Sequence, residues 1–220
     1  PPEKGFTFAF WKNGTATYLL LFCPFFLSVW ALGYITGILG GFFGLENTID
    51  TSGSPLSLFV SQVLLAAFAE ELTFRFVFLR YLAPYHKGAA VLISAATFAL
   101  MHVQILQLPY AFLAGAMLAA LTLVTESPLP AFLFHLANNA AHLSAAICGD
   151  FILLFTILLC AVGTAVCLLW RKYREKTCEA ALGCFPKSKE GAKDTLCTAF
   201  ASPLSLLWAA LLLLSILSLR

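Results

Sequence analysis

The sequence predicts an all-α membrane protein: one polytopic bundle of about seven transmembrane helices that fills residues 1–220 as a single membrane domain. Of the 220 residues, 60% are hydrophobic and only 11% are charged, and the mean hydropathy is +0.89. A soluble domain carries about 25% charged residues. Apolar runs of about 20 residues, the length that crosses a bilayer, also follow one another along nearly the whole chain. Both observations point to an integral membrane protein.

Seven runs have this length, and short polar segments separate them. They cover residues 16–38, 57–83, 88–106, 109–125, 129–148, 151–170 and 198–219. Glycines in segment 39–56 predict an exterior loop or a re-entrant turn. Segment 171–195 is predicted to be a cytoplasmic loop, where basic residues could contact lipid headgroups. The last run predicts an additional anchor helix.

Lysines and arginines indicate the orientation. With the N-terminus inside, twelve of the thirteen basic residues lie on the cytoplasmic side and only Arg220 lies outside. Since cytoplasmic loops carry an excess of Lys and Arg, this distribution predicts an N-in, C-out topology. The net charge of +2 does not indicate a nucleic-acid partner. We expect a multi-pass protein of a bacterial cell membrane, with a short segment preceding Pro1 because the sequence does not begin with methionine.

The second run contains three charged residues within six positions, Glu70, Glu71 and Arg75. A charge near the centre of a membrane helix costs about 2.5–3.5 kcal/mol on insertion scales, so such residues pair, face a polar cavity or have a function. Glu71 and Arg75 are four residues apart and share a helix face, whereas Glu70 points about 100° away. Arg75 can therefore neutralise Glu71 and leave Glu70 facing a cavity. The alternative is a structural ion pair beside one protonated glutamate.

Two further polar groups lie in later runs. His102 follows Phe98 by one turn, so the phenyl ring could pack against one side of the imidazole. The alternative role for this histidine is a structural hydrogen bond. The fifth run carries four polar residues at spacings of 0, 3, 4 and 7, which form one stripe: His135, Asn138, Asn139 and His142. Because an unpaired polar group in lipid costs several kcal/mol, this stripe faces protein or water. Either a helix-packing seam or a catalytic or transport cavity satisfies this requirement.

Together, the groups supply a general base and donors for a developing oxyanion, which are the parts needed to hydrolyse an acyl bond with water. No serine lies in a G-x-S-x-G motif, so direct attack by water is favoured over a covalent intermediate.

Counting along the helices puts Glu70 and His102 in the outer halves of their runs and His135 only six residues into its own. Either the run boundaries differ from those given above, or the helices are tilted and staggered.

Three motifs resemble a known family. Glu70-Glu71-Leu-Thr-Phe-Arg75 fits E-E-x-x-x-R, Phe98-Ala-Leu-Met-His102 fits F-x-x-x-H, and His135-Leu-Ala-Asn-Asn139 fits H-x-x-x-N. In this order, within residues 57–148, they are similar to the motifs of the CAAX-protease and bacteriocin-processing (CPBP, or Abi) family of intramembrane endopeptidases. The resemblance predicts that segment 57–148 is the catalytic core.

The resemblance also implies a role for each motif residue. Glu70 would be the base that activates water, and His102 would help to hold that water. His135 and Asn139 would stabilise the oxyanion. Supporting roles would fall to Glu71, Arg75 and Phe98.

The family is often described as metallo-endopeptidases, which leaves the cofactor open. Glu70, His102 and His135 could hold Zn²⁺ as a His₂Glu site with water in the fourth position, and a metal-independent mechanism is equally compatible. The expected partner is a membrane-associated peptide or protein that arrives from the bilayer or its cytoplasmic face, prenylated or not. Two other functions are alternatives: a non-catalytic membrane binding or bacteriocin-immunity module and, less expected because no paired repeats are visible, an ion-coupled transporter.

Overall fold

The computed structural model describes residues 15–46 and 49–169, and within these residues all regular structure is helical. We number the helices in chain order: α1 Thr15–Phe42, α2 Pro55–Leu82, α3 Lys87–Leu100, α4 Leu108–Thr125, α5 Leu129–Cys148 and α6 Asp150–Leu169. The all-α prediction is confirmed. Loop 171–195 and anchor 198–219 lie outside the described residues, so the seventh span and the topology stay predictions.

Among the described residues, three helical segments are long and apolar enough to cross a membrane. They are Phe22–Phe42 in α1, the whole of Pro55–Leu82 and the whole of Leu108–Thr125. Lys87–Leu100 and Leu154–Ala165 are apolar but shorter. Helices of this length and composition are typical of an integral membrane protein.

Helix α2 widens to a π-helical pitch in two places. Ser54 caps it by accepting a hydrogen bond from the Ser57 backbone N–H at 3.2 Å, and Pro55 occupies the first turn, where a missing N–H costs nothing. Two π-helical segments, Phe59–Leu65 and Leu72–Leu79, then flank the α-helical segment Ala66–Glu71. Widened turns of this kind occur often at functional sites. Both glutamates lie at the end of the α-helical segment.

Helix α3 is shorter than its apolar run. The predicted run 88–106 was too long, because the helix ends at Leu100 and residues 101–107 form a turn before Leu108. Apolar residues of this turn, including Val103 and Ile105, extend the hydrophobic pattern beyond the helix. His102 therefore lies in a turn rather than inside a helix.

The helices pack against one another in pairs along the bundle. α2 packs against α3 and α5, α4 packs against α1, α3 and α5, and α6 packs against α1 and α5. The largest buried cluster joins α1 to α4, α5 and α6: Phe25, Phe26, Val29, Trp30, Ala114, Leu118, Ala131, Phe134 and Cys160. This packing leaves a cavity that residues of helices α1–α5 line.

The start of α5 lies deep in the bundle. Residues from the turn before α5 and from its first helical turn line one pocket with four α2 residues: Phe68, Glu71, Leu72, Phe76, Pro128, Leu129 and Phe132. Helix α5 therefore begins beside the middle of α2 and not beside its end at Leu82. This stagger explains how His135, six residues into its helix, reaches the level of Glu70 and Glu71.

Candidate active site

Helices α1–α5 enclose a cavity of about 400 Å³, and residues from all three polar groups line it. The polar lining comes from α2, from the turn after α3 and from α5: Gln62, Glu70, His102, His135, Asn138, Asn139 and His142. The remaining wall is mostly apolar and includes Phe25 and Val29 of α1 and Ala114 and Leu118 of α4. The residues singled out from the sequence thus face a common space, with Glu71 and Arg75 lying behind its wall.

Glu71 and Arg75 form the predicted ion pair. Arg75 Nη1 lies 3.1 Å from Glu71 Oε1, and the two side chains are 0% and 3% exposed. The guanidinium also donates to the Gly115 carbonyl oxygen at 3.4 Å and stacks over the Phe98 ring at 4.4 Å. A charge this deeply buried requires compensation of this kind, because an unpaired ion in a low dielectric costs several kcal/mol.

Glu71 has a second partner that the sequence analysis missed. His135 Nδ1 lies 2.8 Å from the same Glu71 oxygen, Oε1. A carboxylate accepts hydrogen bonds, so Nδ1 of His135 carries a proton. The other ring nitrogen, Nε2, then faces Glu70 Oε2 at 3.6 Å. Residues 71 and 135 are 64 positions apart, and no local spacing could have indicated this contact.

Glu70 presents its carboxylate to the cavity. Its side chain is 23% exposed, and its Oε2 atom has no hydrogen-bond partner among the described residues. Buried polar atoms in native proteins nearly always have a partner. An oxygen in this position can accept a hydrogen bond from water or from a ligand.

Helix α3 and its following turn fix His102. Nδ1 of His102 lies 3.0 Å from the Phe98 carbonyl oxygen. Because a carbonyl can only accept, Nδ1 is the donor and Nε2 retains a lone pair. The next residue, Val103, has a φ of 60°, which is a strained conformation for a β-branched residue. Backbone strain of this kind is found preferentially at functional sites.

The Phe98 ring lies between the two histidines and the arginine. Its centroid is 4.9 Å from the His102 ring and 5.6 Å from the His135 ring, and both contacts are edge-to-face. Together with the Arg75 contact, these distances make Phe98 the common packing surface of the site. The sequence predicted a contact with His102 and did not predict the other two.

Asn139 is anchored through α2. Its Nδ2 donates to the Gln62 carbonyl oxygen at 3.3 Å, which leaves its second amide N–H for another acceptor. The Gln62 side chain in turn donates to the Asp50 carbonyl oxygen at 2.7 Å. Gln62 was not predicted, although a strongly polar residue in an apolar helix is itself a signal.

The hypothesised zinc ligands do not fit a single metal site as they are arranged. Within residues 15–46 and 49–169, no group of three or more His, Cys, Asp or Glu side chains lies close enough to hold a metal ion. Each histidine is held through Nδ1, His102 by a carbonyl and His135 by Glu71, which leaves its Nε2 for a ligand. Because the three side chains do not converge on one point, no step of the hydrolysis is assigned to a metal ion.

Comparison with known proteins identifies the segment that carries this site. Residues 52–141 match the family model described as type II CAAX prenyl endopeptidase Rce1-like. Neither the curated proteins nor the solved structures contain a match to the chain. The matched segment runs from before the cap of α2 to beyond Asn139 and so contains all three motifs. The resemblance is therefore confirmed over residues 52–141, where the chain is similar to the Rce1-like type II CAAX prenyl endopeptidases.

Proposed function

We propose that the protein is an intramembrane endopeptidase that hydrolyses a peptide bond of a membrane-associated substrate by direct attack of water. One observation carries the proposal: Glu70 and His135, from two different helices, face each other at 3.6 Å beside the cavity, with His135 held by Glu71. Arg75 neutralises Glu71 in turn. A carboxylate with a free oxygen beside an oriented imidazole is an arrangement suited to acid–base catalysis.

Glu70 acts as the base in this proposal. The Glu70 carboxylate removes a proton from a water molecule in the cavity, and the water oxygen attacks the carbonyl carbon of the substrate. His102 Nε2, which retains a lone pair, accepts a hydrogen bond from the same water and orients it. The proton held by Glu70 then passes to the leaving amine as the C–N bond breaks.

His135 and Asn139 stabilise the negative charge that develops on the substrate oxygen. When His135 carries a proton on both nitrogens, Nδ1–H stays bound to Glu71 and Nε2–H can donate to the substrate oxygen from beside Glu70 at the cavity wall. Asn139 supplies the amide N–H that does not bind Gln62. Donors that are fixed before the reaction need no reorganisation when the charge forms.

The family match supports a peptide bond as the target. The model that matches residues 52–141 describes endopeptidases, and the long apolar helices indicate that the substrate is reached within or beside the bilayer. A membrane-tethered peptide is therefore the substrate class that we propose.

A cleavage assay with Glu70→Gln tests this function. The purified protein in liposomes would be given membrane-tethered peptides, and products would be identified by mass spectrometry. Loss of the base should lower kcat at least about 100-fold without changing the thermal midpoint, because an amide keeps the size of the side chain but cannot take the proton. Glu46→Gln is the matched control, since Glu46 is exposed and outside the cavity.

Chelation separates the two mechanisms in the same assay. Activity should persist in fully demetallated protein, and activity that is lost and then restored by Zn²⁺ would replace the mechanism above with a metal-dependent one. If the wild type binds the peptides without cleaving any of them, the protein is a binding module and the endopeptidase proposal fails.

A further inference from the structure

A second cavity adjoins the catalytic one. It has a volume of about 550 Å³ and shares Ile49, Tyr110 and His142 with the catalytic cavity. The rest of its lining is aromatic, aliphatic or small: Trp30, Gly33, Tyr34, Gly37, Ile38, Ala145 and Ala146. No Asp, Glu, Lys or Arg is among these described residues. We call this cavity the side groove, and the catalytic roles assigned above do not involve it.

An aromatic stack forms one wall of the side groove. The rings of Trp30 and His142 lie 4.1 Å apart with an 18° angle between their planes. The Tyr110 ring lies 6.2 Å from His142 and is nearly parallel to it at 21°. Stacked rings have few accessible rotamers, so this wall is rigid before any ligand arrives.

The same wall contains an unused hydrogen-bond donor. Trp30 is 7% exposed, and its Nε1–H has no partner among the described residues. Leaving a buried N–H without an acceptor costs about 1–3 kcal/mol. A ligand that offers a carbonyl oxygen would remove this cost, whereas a purely hydrocarbon ligand would not.

Glycine keeps the α1 side of the side groove open. A Cβ atom added at Gly37 would meet no atom within 4 Å. The space beside this residue is therefore available to a side chain from elsewhere.

We propose that the side groove is a specificity subsite that binds an apolar side chain of the peptide substrate, with Trp30 Nε1–H donating to a main-chain carbonyl of the same peptide. This inference rests on the proposed endopeptidase function. The continuity of the two cavities through Ile49, Tyr110 and His142 gives one chain access to both. The unused donor favours a peptide, whose main chain offers a carbonyl oxygen at every residue, over the hydrocarbon tail of a lipid, whose methylene groups offer none.

Positions along α5 give the distance between the side groove and the cleaved bond. His135 and His142 are seven residues apart, or about 10 Å at 1.5 Å per residue, and Ala146 is about 16 Å from His135. An extended peptide advances about 3.3 Å per residue. The apolar side chain should therefore lie about three to five residues from the cleaved bond.

Filling the side groove tests the proposal. Gly37→Leu and Ala146→Leu would add bulk from opposite walls, and Gly41→Leu is the matched control. Gly41 lies on the same helix, its added Cβ would also meet no atom within 4 Å, and it does not line the side groove. Each protein would receive a library of membrane-tethered peptides that carry Gly, Ala, Leu or Phe at every position around the cleaved bond, with products sequenced by mass spectrometry.

The wild type should prefer Leu or Phe over Gly at one position three to five residues from the cleaved bond, by at least about tenfold in kcat/KM. Both filled variants should lose this preference while cleaving the glycine peptides at the wild-type rate, and Gly41→Leu should keep it.

Four results would overturn the subsite, and three of them leave the endopeptidase intact. The first two are a wild type with no preference at these positions and filled variants that keep the preference of Gly41→Leu. A uniform rate change on all peptides that depends on the acyl-chain length of the vesicles would also leave it intact and would assign the side groove to lipid. If the wild type cleaves no peptide faster than Glu70→Gln does, the endopeptidase function itself fails, and the subsite fails with it.

Discussion

A single carboxylate oxygen, Glu71 Oε1, joins the structural and chemical parts of the site. It lies 3.1 Å from Arg75 Nη1 and 2.8 Å from His135 Nδ1. Arg75 thereby acts on His135 through Glu71 and has no direct contact with the catalytic cavity. Removing the guanidinium should therefore disturb both stability and the orientation of the imidazole.

Arg75→Met should lower the free energy of unfolding by about 3–5 kcal/mol. The change leaves the Glu71 carboxylate buried without its cation, and breaking one side of a buried ion pair has this cost. The double variant Glu71→Gln/Arg75→Met should recover part of the loss, because the neutral amide still accepts from His135 without requiring a counter-ion.

Denaturation of the protein in detergent measures both variants. Arg80→Met serves as the control, since Arg80 is an exposed arginine at the end of the same helix and its loss should change stability by less than about 0.5 kcal/mol. A double variant no more stable than Arg75→Met alone would contradict the assignment of Arg75 as the counter-ion of Glu71.

At this scale, the sequence predicted contacts within a helix better than contacts between helices. The Glu71–Arg75 pair follows from a spacing of four residues, and the structure contains it. The contacts of Glu71 with His135 and of Asn139 with Gln62 join different helices. Helical spacing carries no information about such contacts, because they depend on how α5 is staggered against α2.

At the element scale, the close approach of α3 and α4 supports the site from behind. An added Cβ at Gly115 of α4 would lie 3.0 Å from Phe98 Cδ1 and 3.1 Å from Ala95 Cα of α3. The Gly115 carbonyl also receives the hydrogen bond from Arg75. Small residues allow membrane helices to pack this closely. The position of Phe98, and therefore of both histidine rings, depends on Gly115.

Gly115→Ala should reduce both stability and cleavage. The methyl group would have to displace the α3 backbone and the Phe98 ring by a few tenths of an ångström, and overpacking of this kind costs about 1–3 kcal/mol. We expect a lower thermal midpoint and a lower kcat. Gly41→Ala is the control, because its added Cβ would meet no atom within 4 Å. Alanine also has a higher helix propensity than glycine, so the thermal midpoint of this variant should be unchanged or slightly higher. Equal midpoints for the two variants would show that α3 and α4 are not in close contact at Gly115.

Hydropathy predicted that helices exist and where most of them lie, but not their internal geometry. Six of the predicted runs correspond to α1–α6, although α3 ends at Leu100 rather than at residue 106. The two π-helical segments of α2 had no signal in the sequence pattern. Hydropathy records whether a residue is apolar and not which carbonyl its N–H binds, so a change of helical pitch leaves it unaltered.

At the scale of the described molecule, the candidate catalytic cavity extends toward one end of the bundle, and Arg80 and Lys87 lie toward the other end. The cavity reaches Ile49 in the segment between α1 and α2 and Gln107 before α4, and Leu106 lies beside Gly40 of α1. Arg80 and Lys87 flank the turn between α2 and α3, at the other end of these helices. If basic residues mark the cytoplasmic side, as the N-in topology predicts, the cavity extends toward the opposite face of the membrane. A substrate arriving from the cytoplasm does not fit this orientation.

Cysteine labelling in intact cells tests this orientation. In a background with the other six cysteines replaced, the exposed native Cys148 at the end of α5 should react with a membrane-impermeant maleimide added outside. A Tyr85→Cys variant in a background without native cysteines should react only after the cells are opened, because Tyr85 is 49% exposed in the turn beside Lys87. The reversed pattern would overturn the N-in topology and would give the cavity access to substrates from the cytoplasm. Labelling therefore determines which face of the membrane must supply the peptide.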